Sequence, residues 1–289
     1  MPGKTLFIIN PISGKPANRK AIAAFESDLA KNPNYTLIET EFRGHATQLA
    51  IQEKGNYNTI VAVGGDGTIN EIATGLKDSG VNLGIIPLGS GNGLANHLGI
   101  PKNCLKALEL IENSTPKPID LISVNNRYVI NVGGVGFDGH VANQFNLAMS
   151  RGLVGYIKLI LKELFTYKEF EFEIKSADLS QSGKAFIIAI ANSTEFGNRF
   201  KVAPEAKHDD GRINLIIIRK PPILKLLWLF IQGYRGKLKP SRYYQSHFIE
   251  EAELSFANTI THVDGELDEE NLSSPLFLKI NKSALNVYY

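Results

Sequence analysis

The apolar run Val61-Ala62-Val63 passes without a break into Gly64-Gly65-Asp66-Gly67-Thr68, where helical periodicity begins. A buried strand that turns this sharply into a helix restricts the chain to an α/β architecture with a parallel sheet. Glycines let backbone N–H groups approach a phosphate, and the helix N-terminus adds the positive end of its dipole. Asp66 repels phosphate unless it is accompanied, which points to a divalent cation or a water-mediated network. The arrangement recurs at Asn10-Pro11-Ile12-Ser13-Gly14-Lys15 and at Gly89-Ser90-Gly91-Asn92-Gly93, each again after an apolar strand. Ser13, Lys15, Thr68 and Ser90 offer donors to phosphate oxygens. Open α/β sheets bind ligands outside their strand C-termini, so the three loops are expected to converge on one site. None has the GxxxxGK[ST] spacing of a Walker A loop.

Periodicity alternates strands at 5–10, 36–42, 59–63 and 83–88 with helices at 18–31, 46–54, 68–77 and 105–113. From Pro118 onward short β-rich segments take over, at 119–124, 127–132, 170–175, 185–191, 213–218, 248–256, 261–263 and 276–280. Helical stretches near 139–166 and 222–232 interrupt them. The expectation is an α/β plus β chain: an N-terminal three-layer α/β domain with a parallel sheet over 1–122, then an antiparallel β-sandwich domain over 123–289. A length of 289 residues suits two domains.

The single cysteine, Cys104, excludes an intramolecular disulfide framework and any CxxC zinc or redox site. The N-terminal segment lacks the pattern of a signal peptide, and no uninterrupted apolar run approaches a membrane span. A cytoplasmic protein is expected, with any membrane contact peripheral at the inner face. The net charge of +2 is a cancellation: residues 211–249 hold eight basic residues and no acid, and the rest of the chain sums to −6.

With Gly-Gly-Asp-Gly-Thr-Ile-Asn-Glu at 64–71, Asn-Pro-Ile-Ser-Gly at 10–14 and Pro-Leu-Gly-Ser-Gly-Asn at 87–92, the chain resembles the diacylglycerol kinase/sphingosine kinase catalytic superfamily. The closer likeness is to its soluble bacterial lipid kinase branch. The resemblance extends through Lys207-His208-Asp209-Asp210-Gly211-Arg212 and Val263-Asp264-Gly265-Glu266 to essentially the whole chain. It implies a nucleotide-binding domain and a lipid-substrate domain with the active site in the cleft between them. It places ATP against Asn10, Pro11, Ile12, Ser13, Gly14, Thr40, Gly64, Gly65, Asp66, Gly67, Thr68, Ile69, Asn70 and Ser90. Glu266 matches the general base that takes the proton from the lipid hydroxyl. Phosphoryl transfer needs an oriented nucleophile and charge compensation, and a hydroxyl needs a carboxylate to accept its proton. Asp264, two residues away in a segment read as extended, is left with two roles: orienting that base or binding metal.

By the same resemblance a structural Mg²⁺ is held by the Asp210 side chain and the carbonyls of Lys207 and Arg212. Oxygen ligands suit that ion. Gly134-Val135-Gly136-Phe137-Asp138-Gly139 satisfies GxGxxG, yet no second strand with an acidic residue follows at the Rossmann spacing, so no dinucleotide site is expected there; the resemblance instead implies a turn at the interdomain cleft, near the lipid. The six histidines show no zinc spacing and are expected to be surface or locally bonded, with His45 a partial exception because the resemblance sets its Gly-His-Ala stretch, five residues after Thr40, near the nucleotide.

The resemblance implies a lipid alcohol as acceptor, such as diacylglycerol or a sphingoid or ceramide-like lipid. Gly93 stands where diacylglycerol-type relatives carry Asp, and Gly-Ser-Gly-Asn is more like sphingosine and ceramide kinases. An NAD kinase-like soluble kinase and a catalytically silent lipid-binding relative are the alternatives. The apolar stretches at 152–167 and 221–233 are expected to wall an acyl-chain pocket or pack on the sandwich. The adjoining basic segment is expected to contact anionic membrane, not nucleic acid, since no nucleic-acid motif accompanies it.

Overall fold

A computed structural model describes residues 3–14, 19–147, 162–164, 166–197, 199–267 and 272–289. Lys15, Asp268, Glu269, Glu270 and most of the stretch at 152–167 lie outside the described residues. The first part runs β1 (Thr5–Ile9), α1 (Arg19–Leu29), β2 (Tyr35–Glu39), α2 (His45–Glu53), β3 (Thr59–Gly64), α3 (Asp66–Leu76), β4 (Asn82–Pro87), α4 (Gly93–His97) and α5 (Cys104–Asn113). Strands β2, β1, β3 and β4 lie side by side in parallel, in register from Thr5 beside Thr59 to Ile9 beside Val63. Every residue of β1 and β3 is buried, as expected for central strands covered on both faces.

There follow β5 (Pro116–Val124), β6 (Arg127–Val129), β7 (Val132–Gly136), α6 (Phe137–Leu147), β8 (Phe170–Lys175), β9 (Ser180–Ala185), β10 (Ile187–Ala191), β11 (Glu195–Gly197), β12 (Phe200–Lys201) and β13 (Ile213–Ile218). The last elements are α7 (Ile223–Tyr234), β14 (Tyr244–Ile249), β15 (Glu251–Phe256), β16 (Thr261–Val263), β17 (Glu266–Leu267) and β18 (Leu276–Tyr288). One antiparallel sheet, in the order β14-β13-β10-β7-β16-β17, packs on strands β15, β8 and β9 and the start of β18. Strand β8 alternates strictly, with Phe170, Phe172 and Ile174 turned into this core.

Two segments read as single strands are pairs that change sheets. β9 passes to β10 through Phe186 alone, and β14 to β15 through Glu250 alone, each pair ending in different sheets. An unbroken apolar run crosses the first joint (Ala185-Phe186-Ile187-Ile188), and only Glu250-Glu251 separates the apolar residues at the second, with no turn residue at either, so the sequence pattern conceals these corners of the sandwich. Strand β18 likewise runs well past its expected end at 280. Its first half pairs with β15 and β5, and its second half lies parallel to β4, with Val287 beside Leu83. The C-terminal strand therefore joins the parallel sheet to the sandwich, and Ala284, Leu285, Val287 and Tyr288 enter the N-terminal core.

Register along β18 breaks between Asn281 and Leu285, where Ser283 adopts φ 51°. The buried carboxylate of Asp120 holds this bulge. It accepts the Ser283 N–H at 2.7 Å and the Gly211 N–H at 2.7 Å, while the Asp120 N–H donates to the His208 carbonyl at 2.6 Å. Asp120→Ala should strand the buried Gly211 N–H, release the Ser283 N–H to water and cost about 1–3 kcal/mol. A urea unfolding curve is the check, and an unmoved midpoint would show that the bulge holds itself.

Candidate active site

The three glycine-rich loops meet at the C-terminal edge of the parallel strands. Asn10 donates through Nδ2 to Thr68 Oγ1 at 3.1 Å and fixes its own loop by accepting the Ile12 N–H at 3.1 Å. Gly65 and Gly89 pack backbone to backbone: a Cβ on Gly89 would lie 2.7 Å from the Gly65 Cα, so neither loop tolerates a side chain there. The Thr40 N–H donates to the Ile9 carbonyl at 2.8 Å, which sets Thr40 beside the first loop. Pro11, Ile12, Gly14 and Ser90 are exposed at the rim. Helix α3 starts at Asp66 after β3, its N-cap Gly65 has no side chain to cap it, and the Asp66 carboxylate takes up the Asp66 N–H. The next N–H groups of that turn, from Gly67 and Thr68, suit a ligand or water.

Not every expected contact faces this cradle. Ile69 is buried in the core and offers only its backbone. Asp66 turns one oxygen to the Gly93 N–H at 2.8 Å, at the start of α4. Burial pushes its carboxyl above the usual range, against the N–H donors of Gly93, Asn92 and Leu94. Asp66 thus staples the second loop to the third. A Cβ on Gly93 would strike Asn131 Nδ2, so this packing has no room for an Asp at that position.

Asp264 and Glu266 reach the cradle from the β16–β17 hairpin. Val263 pairs with Glu266, leaving Asp264 and Gly265 as a two-residue turn with φ 50° and 87°. Asp-Gly is the sequence such a turn selects, because both positions need the left-handed region. Asp264 is therefore in the turn and not in extended chain, and the two carboxylates diverge. Asp264 accepts Asn70 Nδ2 at 2.7 Å, the Ile130 N–H at 3.1 Å and the Asn131 N–H at 3.0 Å. Asn70 also donates to the Tyr128 carbonyl at 2.7 Å, so both N–H bonds of its side chain amide are made at this joint. Glu266 lies against Gly67 at the start of α3, where a Cβ would collide with its Oε1. Its other oxygen pairs with Arg43 Nη2 at 2.8 Å.

Several of these groups escape sequence reading because their partners are remote. Glu71, last of the Gly-Gly-Asp-Gly-Thr-Ile-Asn-Glu string, caps α2 by accepting the N–H groups of Gly44 at 2.9 Å and Ala46 at 3.1 Å. Arg43 carried a signal only as a neighbour of Thr40 and His45. His262 is buried and pairs through Nε2 with Asp138 at 2.8 Å. Its Nδ1 accepts the Gly265 N–H at 3.2 Å, bracing the hairpin turn. Asp138 comes from the GxGxxG string, whose strand β7 is flanked by antiparallel partners and so builds no Rossmann unit. His97 and His208 bond each other at 2.9 Å, and His208 continues to the Tyr289 hydroxyl at 2.9 Å. Burial, with help from His208 and Lys201, pushes His97 down to about 4, so this chain of rings is neutral near pH 7. These contacts are long-range, not local.

Lys207, Asp210 and Arg212 share the loop before β13. Asp210 accepts the Arg212 N–H at 3.0 Å. Burial raises its carboxyl, the Arg212 N–H opposes this, and Asp120 and Asp209 raise it further. Among the described residues no three His, Cys, Asp or Glu side chains cluster as a metal site. A cation here would depend on backbone oxygens. The crowded carboxylates and all-oxygen donor set fit a hard divalent ion.

A glycine-loop α/β half, a sandwich half and a carboxylate poised over the loop helix define a phosphotransferase class of site. The comparisons name it. The "Diacylglycerol kinase catalytic domain" family matches residues 4–124, and the "YegS C-terminal NAD kinase beta sandwich-like domain" family matches residues 131–289. The chain belongs to the diacylglycerol kinase/YegS-like family and is a lipid kinase. It is 28% identical over 240 residues to the diacylglycerol kinase of Bacillus subtilis (strain 168), covering 80% of this chain and 78% of that one. It is also 28% identical over 276 residues to the diacylglycerol kinase of Staphylococcus saprophyticus subsp. saprophyticus, covering 92% and 90%. A solved structure of a diacylglycerol kinase from Bacillus anthracis str. Sterne shares the fold, with a TM-score of 0.77 at 21% identity, covering 99% of this chain and 96% of that one.

Burial pushes the Asp264 carboxyl up to about 6, against the bonds from Asn70, Ile130 and Asn131, with Asp66 raising it further. A folded value above the unfolded one means that its contribution to stability is complete below about pH 4 and is lost as pH rises through about 6. Asn70 favours the ionised form, so Asn70→Ala should move the midpoint upward. Carbon NMR titration of the Asp264 carboxyl checks this, and an unchanged or lower midpoint would contradict the assigned bond.

Proposed function

We propose that this lipid kinase transfers the γ-phosphoryl group of ATP to the hydroxyl of diacylglycerol. The observation that carries the reading is the Glu266 carboxylate lying against Gly67 at the open N-terminus of α3, where a phosphate and an acceptor hydroxyl would meet. Glu266 takes the hydroxyl proton as the oxygen attacks the γ-phosphorus and the bond to ADP breaks in line. The loops at Asn10–Gly14, Gly64–Thr68 and Ser90 hold the phosphates, with Thr40 at their side. Asp66 organises the nucleotide site by holding two of these loops together. Of the two roles open to Asp264, the bonds to Asn70, Ile130 and Asn131 favour orienting the base. Arg43 supplies a cation next to the transferring group.

Mg²⁺ would be held by Asp210 and the carbonyls of Lys207 and Arg212, where it would neutralise the acidic loop. Diacylglycerol is favoured as acceptor by the two relatives bearing that activity in their names; a sphingoid or ceramide-like lipid is the second choice. Among the described residues no helix is long and apolar enough to cross a membrane, so the lipid would be met from the bilayer surface.

Labelled ATP presented with diacylglycerol, ceramide, sphingosine and NAD should label diacylglycerol. Label in NAD alone, or in none of the four, would overturn the reading. Glu266→Gln should reduce turnover at least a thousandfold while ATP affinity, measured by calorimetry, stays within about threefold. Retained turnover would remove Glu266 from its role.

A further inference from the structure

Helix α7 buries less apolar surface than it exposes. Leu229 and Gly233 face inward, and Gly233 gives way to the Phe200 ring on β12. Leu224, Leu227, Trp228, Phe230, Ile231 and Tyr234 are exposed, with Leu224 at 79% and Trp228 at 43% of full exposure. Ile223 opens the same helix, and the other exposed large apolar residues among those described, Ile12, Phe42, Ile51, Leu105 and Phe277, stand singly on separate loops and elements. A continuous apolar helix face of this kind marks an interaction surface, not a packing accident.

Charge selects the partner. Arg235, Lys237, Lys239 and Arg242 follow directly after the helix, all exposed, and among the described residues none forms an ion pair. Lys225 lies with its ammonium 4.1 Å from the Trp228 ring, an apolar stem on the helix with a charged tip at its edge. Two copies of this chain joined through α7 would bring like charges together. A surface of anionic headgroups over acyl chains satisfies both features at once.

We propose that α7 is an interfacial anchor that lies in the headgroup layer of an anionic bilayer; the inference deepens the lipid-kinase reading and rests on it. The anchor is linked to the cleft. Phe200, which packs on Phe230 and Tyr234 at 5.5 and 5.4 Å between ring centroids, belongs to the β11–β12 ribbon. On the other strand of that ribbon, the Phe196 ring lies 6.0 Å from His262, and a Cβ on Gly197 would lie 3.5 Å from the Gly91 Cα. A bilayer engaged by α7 is thus one short ribbon away from the third glycine loop and the hairpin that carries Glu266.

Trp228 is the only tryptophan in the chain, so its emission reports on this face alone. Vesicles of phosphatidylglycerol and phosphatidylcholine should shift that emission to the blue, and brominated lipid should quench it. Vesicles of phosphatidylcholine alone should do so at least tenfold more weakly. The double variant Leu224→Asp/Ile231→Asp alters only exposed positions. It should partition at least tenfold more weakly, with an unchanged thermal melt and unchanged turnover of a short-chain diacylglycerol dispersed as monomers. Unmoved Trp228 emission with anionic vesicles at low salt would overturn the proposal, as would wild-type partitioning by the variant. A wild-type dimer that the variant breaks in light scattering would assign the face to a second copy instead. Failure of the short-chain assay in wild type would count against the kinase reading, while the fluorescence would still report on docking.

Discussion

One carboxylate holds the two halves of the active site together. Asp264 accepts three N–H groups, one from α3 and two from the segment entering β7. Removing any donor leaves a desolvated carboxylate short of a partner, and removing the carboxylate strands all three donors. The turn that presents it also fixes Glu266 two residues later, against the first turn of α3. The first turn of α3 and the proposed base Glu266 are therefore held in place by one short hairpin, braced from behind by the His262–Asp138 pair.

A second carboxylate does comparable work at the other joint. Asp120 ties the β18 bulge to the acidic loop at 207–212, and β18 carries that restraint into the parallel sheet beside β4. Acidic residues are thus spent on backbone N–H groups at both joints, while unpaired basic residues gather after α7. The small net charge of the chain is the balance of +8 over residues 211–249 and −6 over all the rest.

The sequence made the local parts of this arrangement legible. Each glycine loop follows its own buried strand, and Gly-Gly-Asp-Gly-Thr is intelligible without knowledge of any distant residue. The sheet corners at Phe186 and Glu250 were not legible, because no glycine, proline or other turn residue marks either joint. Asn70, Glu71 and Asp66 lie inside the recognised motif, but their side chains bond Asp264, the start of α2 and the start of α4. Those partners are set by tertiary structure. Period-two reasoning placed Asp264 and Glu266 on one side, and the Asp-Gly turn between the paired Val263 and Glu266 separates them. The apolar character of α7 was plain in its residues, but its exposure depended on how little of it the β11–β12 ribbon covers.

The central claim is that the Asn70–Asp264 bond holds the base hairpin over the nucleotide loop. A double-mutant cycle on kcat/KM for lipid phosphorylation, using Asn70→Ala, Asp264→Ala and both together, tests it most directly. The account predicts that the double variant is little worse than Asp264→Ala alone, because the first substitution has already released the hairpin. Losses that simply multiply would show that the two residues act independently and would contradict the account.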